Sequence, residues 1–150
     1  LESIKFGAPI LTDTDMAAAA IKTMANQCNG NSVFSAKKWI VDNIEITSTK
    51  TAYGIEHAWL DLSKKYYGKA SPIVVFGSSP TALEKLLDIV ESCDNKPSLI
   101  IGMPVGFIGV EKSKKRLLET DLPYIVMDST RGGAAMAGAT INALLRESIQ

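Results

Sequence analysis

Short apolar runs alternate along this chain with longer segments in which apolar residues recur every three or four positions. The runs Ala8–Thr12, Pro72–Phe76, Ser98–Ile101 and Pro123–Met127 are continuously apolar or nearly so, which is the pattern of strands covered on both faces of a sheet. The segment Ile40–Ile46 contains several β-branched residues and is also predicted to be extended. The pattern therefore predicts five strands.

The longer segments predict helices. In the longest, at about 51–67, the apolar residues form one stripe: Ala52, Ile55, Trp59, Leu62 and Tyr66. Ser79 is a suitable N-cap for the helix that follows it, and Pro80 suits that helix's first position. The polar segment Ala25–Ser32 predicts a loop. The other predicted helices run from Asp13 through Ile21, over Pro80–Val90, over Glu111–Glu119 and over Ala134–Glu147.

Alternation of strand and helix favours right-handed crossovers and parallel strands. The predicted fold is α/β, with three layers: a mainly parallel sheet and helices on both of its faces. A chain of 150 residues suits one domain with one core, so residues 1–150 are assigned to a single domain. Residue 1 is Leu rather than Met, which indicates a chain cut within a larger protein or supplied without its first residues.

Charge and cysteine content exclude several classes of function. Lys plus Arg and Asp plus Glu number 16 each, so no basic excess indicates a nucleic-acid partner. No apolar run is long enough to span a membrane. Cys28 and Cys93 lack the spacing of a metal site and are interpreted as free thiols in a reducing compartment. We expect a cytoplasmic protein with no metal site.

In a sheet of this type the loops after the strands open on one edge, where ligands bind. Four such loops are rich in Gly, Ser, Thr or charge: 47–50, Gly77–Thr81, Gly102–Gly109 and Asp128–Gly133. Three of them lead closely into a helix, whose free N–H groups favour an anion, and Lys50 and Arg131 add positive charge. For any single loop, turn and cap residues are the better explanation of the composition. Together the loops predict a ligand with several carboxylates or phosphates.

The segment Ile100–Gly109 is the most informative of the chain, because an apolar run breaks at glycine and proline before a charged helix. Gly102, Gly106 and Gly109 leave backbone atoms uncovered, so a ligand could approach closely. Neither a dinucleotide-binding GxGxxG nor a GxxxxGK[ST] phosphate loop occurs. Arg131-Gly132-Gly133 could hold a phosphate.

The single histidine and the last helix are two further features of the sequence. His57, the only histidine, falls opposite the apolar stripe of its helix and is predicted to be a solvated surface residue. The last helix is rich in small residues between Ala134 and Ala143, so it could lie close to another backbone. Packing on the sheet and a subunit interface both remain open for that helix.

At these residues the chain resembles the precorrin-8X methylmutase (precorrin isomerase) family of cobalamin biosynthesis. The block Gly102–Phe107 with downstream Ser113 and Lys114 is the most specific part of the resemblance. The matching segments occur in the family's order over nearly the whole chain. Besides this block they are Gly7–Leu11 with Asp13 and Met16, Gly77–Leu87, and Arg131–Gly133 through Met136 to Asn142–Leu144.

The resemblance implies an α/β fold, a homodimer and a corrin precursor with many acetate and propionate arms as substrate. The implied reaction is an isomerisation that moves a methyl group from C-11 to C-12 of the macrocycle. No metal or organic cofactor takes part as a reagent, and an acid must protonate the macrocycle. The ligand contacts expected on this basis are Thr49, Lys50, Ser79, Thr81, Gly102, Met103, Gly106, Arg131, Gly132 and Gly133.

The chain departs from the family's pattern at two places. The family's catalytic histidine lies upstream of the Gly7 segment, in a region that this chain lacks or barely contains. His57 does not match it, and no residue is assigned as the catalytic acid. The family's Asn-Thr-Arg-Ser motif corresponds here to Ser48–Thr51, in which Lys50 keeps the charge of the arginine but loses its bidentate grip on a carboxylate.

Three functions therefore stand side by side. The first is a precorrin-8X or cobalt-precorrin-8 methylmutase. The second is a relative that binds a corrinoid without converting it, which the two departures favour. The third is an enzyme for a phosphate ligand that uses Arg131-Gly132-Gly133.

Overall fold

The computed structural model describes residues 1–43, 45 and 47–150. Five strands are present in the described residues: β1 (Ile10–Thr12), β2 (Val33–Ser35), β3 (Ile73–Phe76), β4 (Leu99–Gly102) and β5 (Tyr124–Val126). The α-helices are α1 (Glu2–Lys5), α2 (Asp15–Gln27), α3 (Lys50–Lys65), α4 (Pro80–Glu91), α5 (Val110–Leu118) and α6 (Ala134–Glu147). A short 3₁₀ helix, Ala36–Trp39, follows β2. None of the described helices combines the length and the apolar character that crossing a bilayer requires.

The strands form one sheet in the order β2-β1-β3-β4-β5, and all neighbours are parallel. In the register of the central strands, Ile10 lies opposite Val33 on one side and Ile73 on the other. The predicted α/β class with a parallel sheet is confirmed.

Two apolar cores, one on each face of the sheet, give the three predicted layers. On one face, α3, α4 and α5 pack through Trp59, Leu86 and Leu117 against Val74 and Phe76. On the other face the core includes Ile21 of α2 and Ile141 of α6, with Ile73, Val75 and Ile101 from the strands. The central strands are buried on both faces, which explains their unbroken apolar sequence.

The structure corrects the prediction in the region between α2 and α3. The strand before the long helix is β2, at Val33–Ser35, and not Ile40–Ile46. Residues 40–43 and 45 are not in a strand, and the rest of that prediction, Ile44 and Ile46, lies outside the described residues. The loop predicted from Ala25 begins later, because α2 continues to Gln27. Since β2 is a half-buried edge strand, its sequence lacks the apolar run of the central strands.

The strand order reverses between β1 and β3, and this position determines where a ligand can bind. The chain leaves β1 for β2 on one side, and β3 then returns on the other side of β1. In open parallel sheets a crevice forms at such a reversal, outside the carboxyl ends of the strands. The parallel strands β1, β3, β4 and β5 all end on the same side of the sheet, which we call the carboxyl edge. The opposite side is called the amino edge.

Candidate functional site at the carboxyl edge

A buried carboxylate lies at the strand-order reversal. Asp13 directly follows β1 and is 3% exposed. Its Oδ1 accepts a hydrogen bond from the Gly77 N–H at 3.1 Å, and its Oδ2 accepts from the N–H groups of Ser78 and Ser79, both at 2.8 Å. Burial raises the pKa of Asp13 above its ordinary value of 3.8, although the three N–H donors favour the charged form.

Asp13 therefore fixes the loop between β3 and α4. Three successive backbone N–H groups of that loop are turned towards the Asp13 carboxylate, where an external anion would otherwise bind. A ligand at this edge must meet the loop through side chains instead, and the side chains available are hydroxyls.

Three hydroxyl groups form a connected cluster directly above this loop. The Thr81 hydroxyl shares a 2.8 Å hydrogen bond with Thr49 and a 3.0 Å bond with Ser79. Thr49 is the N-cap of α3 and accepts from the Ala52 N–H, while Ser79 is the N-cap of α4 and accepts from the Ala82 N–H. When the hydroxyls of Thr49 and Ser79 both donate to the Thr81 oxygen, the proton of the exposed Thr81 hydroxyl is free to be donated to a ligand. The structure thus brings together three of the predicted site residues.

Three of the five helices that begin at the carboxyl edge favour negative charge there, whereas α2 and α5 already have Asp15 and Glu111 in their first turns. Helices α3, α4 and α6 begin here without an acidic residue in the first turn. Lys50 is instead the first residue of α3, where a cation opposes the helix dipole, and Arg131 shortly precedes α6. Both side chains are exposed and form no ion pair within the described part of the chain. A cation at the start of a helix lowers the stability of that helix and attracts an anionic ligand.

Two predicted contacts, Gly102 and Met103, lie below the surface. A Cβ on Gly102 would come 2.6 Å from a methyl carbon of Leu117, so this glycine lets α5 pack close to β4 and does not expose backbone to a ligand. The Met103 side chain is 3% exposed and belongs to the core beneath α6. The explanation of Gly102 as a point of close ligand approach is therefore wrong, because the space beside it is filled by α5.

The second half of the same segment does reach the surface. Gly106 is exposed, and the next two residues, Phe107 and Ile108, are 108% and 90% exposed. The Val105 N–H donates to the Ser78 carbonyl at 3.1 Å, which joins this loop to the loop that Asp13 holds. An apolar tip therefore lies beside the hydroxyl cluster.

The loop Asp128–Gly133 packs against the same segment. The Gly133 N–H donates to the Met103 carbonyl at 2.9 Å, and a Cβ on Gly132 would come 2.3 Å from that oxygen. With φ at +159° for Gly132, the structure requires glycine there for backbone packing. Of the predicted contacts in this loop, Arg131 is exposed, while Gly132 and Gly133 are half-buried.

A cavity of about 360 Å³ adjoins Asp13 at this edge. This volume is at the small end of the range of roughly 300–1,000 Å³ that is typical of small-molecule sites. Its lining residues are Asp13, Thr14, Asp15, Met16, Lys37, Ile40 and Thr51. Nowhere among the described residues do three His, Cys, Asp or Glu side chains meet in a way that could hold a metal ion.

The lone histidine lies on the outer surface of α3, as predicted. His57 is exposed, its ring stacks on Tyr53 with 4.0 Å between ring centroids, and its Nδ1 lies 3.0 Å from the Tyr53 carbonyl. It contacts neither the hydroxyl cluster nor Asp13.

Sequence reasoning missed Asp13 as a site residue. An aspartate at the start of a helical pattern is interpreted most simply as a cap, but Thr14 is the N-cap of α2. The signal that could have identified Asp13 is its place directly after an apolar strand in a sheet whose strand order reverses there.

Comparisons with known proteins agree with the fold. Residues 1–147 match the model of a family described as precorrin-8X methylmutase. The chain is 34% identical over 145 residues to a precorrin-8X methylmutase of Pseudomonas aeruginosa and 31% identical over 148 residues to a cobalt-precorrin-8 methylmutase of Synechocystis. A crystal structure of a precorrin-8X methylmutase from Thermus thermophilus superposes with a TM-score of 0.83 at 30% identity, covering 98% of this chain and 70% of that one.

The match extends over almost all of this chain but not over all of the relatives. It covers 94% of this chain and 66% of the Pseudomonas protein, and 97% of this chain and 63% of the Synechocystis protein. The chain thus spans about two thirds of the length of these curated relatives.

Proposed function

The chain belongs to the precorrin-8X methylmutase family, and from this membership we propose that it binds a corrin precursor at the carboxyl edge and isomerises it. The reaction would move a methyl group from C-11 to C-12 of a precorrin-8X or cobalt-precorrin-8, with no atoms gained or lost. The proposal assigns all of residues 1–150 to one methylmutase-like domain.

The ligand and the surface match in charge. A corrin precursor has several acetate and propionate arms, and the carboxyl edge presents three helix N-termini without first-turn acids. Lys50 and Arg131 would each bind a carboxylate arm, Arg131 with two parallel hydrogen bonds. The Thr81 hydroxyl, with Thr49 and Ser79 behind it, would donate to an arm or to the ring periphery.

The apolar part of the ligand needs a different surface. The exposed tip at Phe107 and Ile108, flanked by Gly106, offers an apolar face for the macrocycle. Met103, Gly132 and Gly133 lie behind it and hold the two loops together. Gly102 supports this arrangement from within the core.

The chain's part in the chemistry would be to orient the macrocycle and neutralise its arms. Migration of the methyl group is made easier by protonation of the ring, so an acid near C-11 and C-12 is required. Asp13 is not that acid in this proposal, because both of its oxygens accept backbone hydrogen bonds. Its role would be to position the loop that presents Ser79 and Thr81.

The observation that supports the proposal best is the hydroxyl cluster between two helix N-termini, next to cations that have no ion-pair partner among the described residues. The test is to incubate the complete polypeptide with precorrin-8X and follow conversion to hydrogenobyrinate by absorbance. We expect conversion. The proposal fails if the protein neither converts precorrin-8X nor binds hydrogenobyrinate.

A second candidate is a corrinoid-binding protein without turnover. Lys50 stands where the family has arginine, and the described histidine, His57, lies away from the site. This candidate predicts tight binding of hydrogenobyrinate with no conversion of precorrin-8X, so the same two measurements separate it from the isomerase.

We also propose that the protein is a homodimer, formed through the joined outer faces of α2 and α6. The two helices touch closely where Gly138 packs on Ala20, and both present small or apolar residues outward. Met16 is 73% and Met136 41% exposed on these faces. Ala139→Glu should yield a monomer in light scattering, whereas Leu60→Glu, an exposed apolar position on α3, should not. An unchanged mass for Ala139→Glu would contradict this interface.

The proposed location is the cytoplasm, with a small corrinoid as the ligand and neither nucleic acid nor membrane as a partner. Its support is the balanced charge and the pair of cysteines, Cys28 and Cys93, which are unpaired and half-buried. Fractionation of cells that express the tagged protein tests the location.

A further inference from the structure

Lys114 is a buried lysine that the proposed binding surface does not include. It lies in α5 and is only 4% exposed, although its side chain ends in a charged ammonium group. Lysine is almost never buried without a partner, because removal of its charge from water is unfavourable unless other groups compensate for it. Its partners therefore indicate what it does.

The partners are backbone carbonyls of the loop Asp128–Gly133. The Lys114 Nζ donates to the Ser129 carbonyl at 2.7 Å and also to the Arg131 carbonyl. Burial lowers the pKa of Lys114, while the nearby carboxylates of Asp128 and Glu111 oppose that shift. The ammonium thus holds two carbonyls that flank a single residue, which fixes the course of the backbone between them.

The loop has an unusual shape that requires such support. Ser129 has φ at +62°, a conformation that is uncommon for residues other than glycine. Its N–H donates a hydrogen bond to Oδ1 of the preceding residue, Asp128. Beyond Arg131 the loop is held again, by the Gly133 N–H on the Met103 carbonyl. Arg131 therefore lies between two anchors, with its own side chain exposed.

We propose that Lys114 is a positioning residue that holds the backbone on both sides of Thr130 so that Arg131 projects towards the acidic ligand at the carboxyl edge. This rests on the proposed function for the identity of the ligand. Lys114 itself touches no ligand: it acts through Arg131. Its removal should weaken ligand binding only as long as Arg131 is present.

The test compares Lys114→Met with Lys115→Met, which removes the same charge from an exposed neighbour in α5. Hydrogen exchange of the amides at 129–133 reports loop order without any ligand. Affinity for hydrogenobyrinate is then measured for both variants, for Arg131→Met and for the double variant Lys114→Met/Arg131→Met. Lys114→Gln, which retains two N–H donors on an uncharged group, is carried through the same measurements.

We expect Lys114→Met to speed exchange in the loop and to weaken binding about tenfold. Lys115→Met should change neither, and Lys114→Gln should fall between Lys114→Met and the parent chain. In the double variant the loss should be close to that of Arg131→Met alone, because the two residues act as one unit.

Two results would overturn the inference. One is unchanged exchange at 129–133 in Lys114→Met, which would show that the lysine does not order the loop. The other is an effect on binding that adds fully to that of Arg131→Met. If the parent chain binds no hydrogenobyrinate, the proposed ligand is wrong, whereas the exchange comparison still decides whether Lys114 holds the loop.

Discussion

The carboxyl and amino edges of the sheet both present hollows, but they differ in charge. At the amino edge a cavity of about 480 Å³ lies where α4 and α5 end, and Glu91, Glu119 and Asp121 are among its lining residues. At the carboxyl edge the cavity beside Asp13 is smaller, about 360 Å³, and its charged lining residues are Asp13, Asp15 and Lys37. Outside that lining, the same edge has the hydroxyl cluster and the exposed cations Lys50 and Arg131.

The charge of the surroundings, rather than the volume of a hollow, is therefore the reason to propose the carboxyl edge as the site for an acid. Helix C-termini and carboxylates repel a ligand with many carboxylate arms, whereas helix N-termini and cations attract it. At the amino edge, Arg116 pairs with Asp88 and Glu91, while Glu119 and Asp121 form no ion pair among the described residues. At the carboxyl edge the exposed charges without an ion pair in the described part of the chain include the cations Lys50 and Arg131.

The largest expected effect comes from removal of the carboxylate that anchors the carboxyl edge. Asp13→Ala leaves the N–H groups of Gly77, Ser78 and Ser79 without their acceptor, and we expect it to lower the free energy of unfolding by about 3 kcal/mol. Urea denaturation measures the loss. Asp15→Ala, two residues away and exposed, is the control and should change stability little. Equal effects of the two variants would contradict the anchoring role.

The next effect separates the two edges by ligand affinity. Lys50→Met/Arg131→Met should weaken hydrogenobyrinate binding about a hundredfold, a tenfold loss for each lost cation–carboxylate contact. Glu119→Gln/Asp121→Asn at the amino edge should leave the affinity unchanged. Calorimetric titration of both double variants makes the comparison, and a larger loss in the amino-edge variant would reverse our assignment.

A smaller effect is expected within the hydroxyl cluster. Thr81→Val keeps the shape of the side chain but removes the group that joins Thr49 to Ser79, so we expect about 1 kcal/mol of weaker binding. Thr120→Val, near the amino edge, removes a hydroxyl that bonds only the Leu117 carbonyl and should not affect binding. The dissociation constants of the two variants decide the point.

The smallest expected effect is on the slope of stability with pH, because the three N–H donors offset part of the desolvation of Asp13. Since the folded-state pKa is raised above 3.8, the protonated form of Asp13 stabilises the fold below pH 3.8. That contribution is lost as the pH rises through the folded-state pKa. Asp13→Asn should lack this decline in urea denaturation across the pH series, and an identical slope in both proteins would contradict the raised pKa.

Much of the fold and part of the site could be predicted from the sequence, because the signals are local. The Ser79-Pro80 pair predicts the start of α4, and the apolar run before it predicts β3. The same locality explains why Thr49, Lys50, Ser79, Thr81 and Arg131 could be chosen as surface candidates at loop and helix starts.

What could not be predicted depends on contacts between distant segments. Asp13 bonds a loop more than sixty residues away, and the side chain of Leu117 in α5 fills the space beside Gly102. Strand β2 is a half-buried strand of three residues that ends in Ser35, so its sequence is too short and too polar to show the apolar pattern of a central strand. The role of Lys114 follows only from the carbonyls it meets in the folded chain.

The most direct test of the central claim is a titration of the ¹⁵N-labelled protein with hydrogenobyrinate, followed by NMR of the backbone amides. We predict saturable shifts at residues 49–52, 78, 79, 81, 82, 105–109 and 131–134, all at the carboxyl edge. Shifts concentrated at residue 91 and residues 119–122, or no saturable shift at all, would contradict the claim that this edge binds the acid.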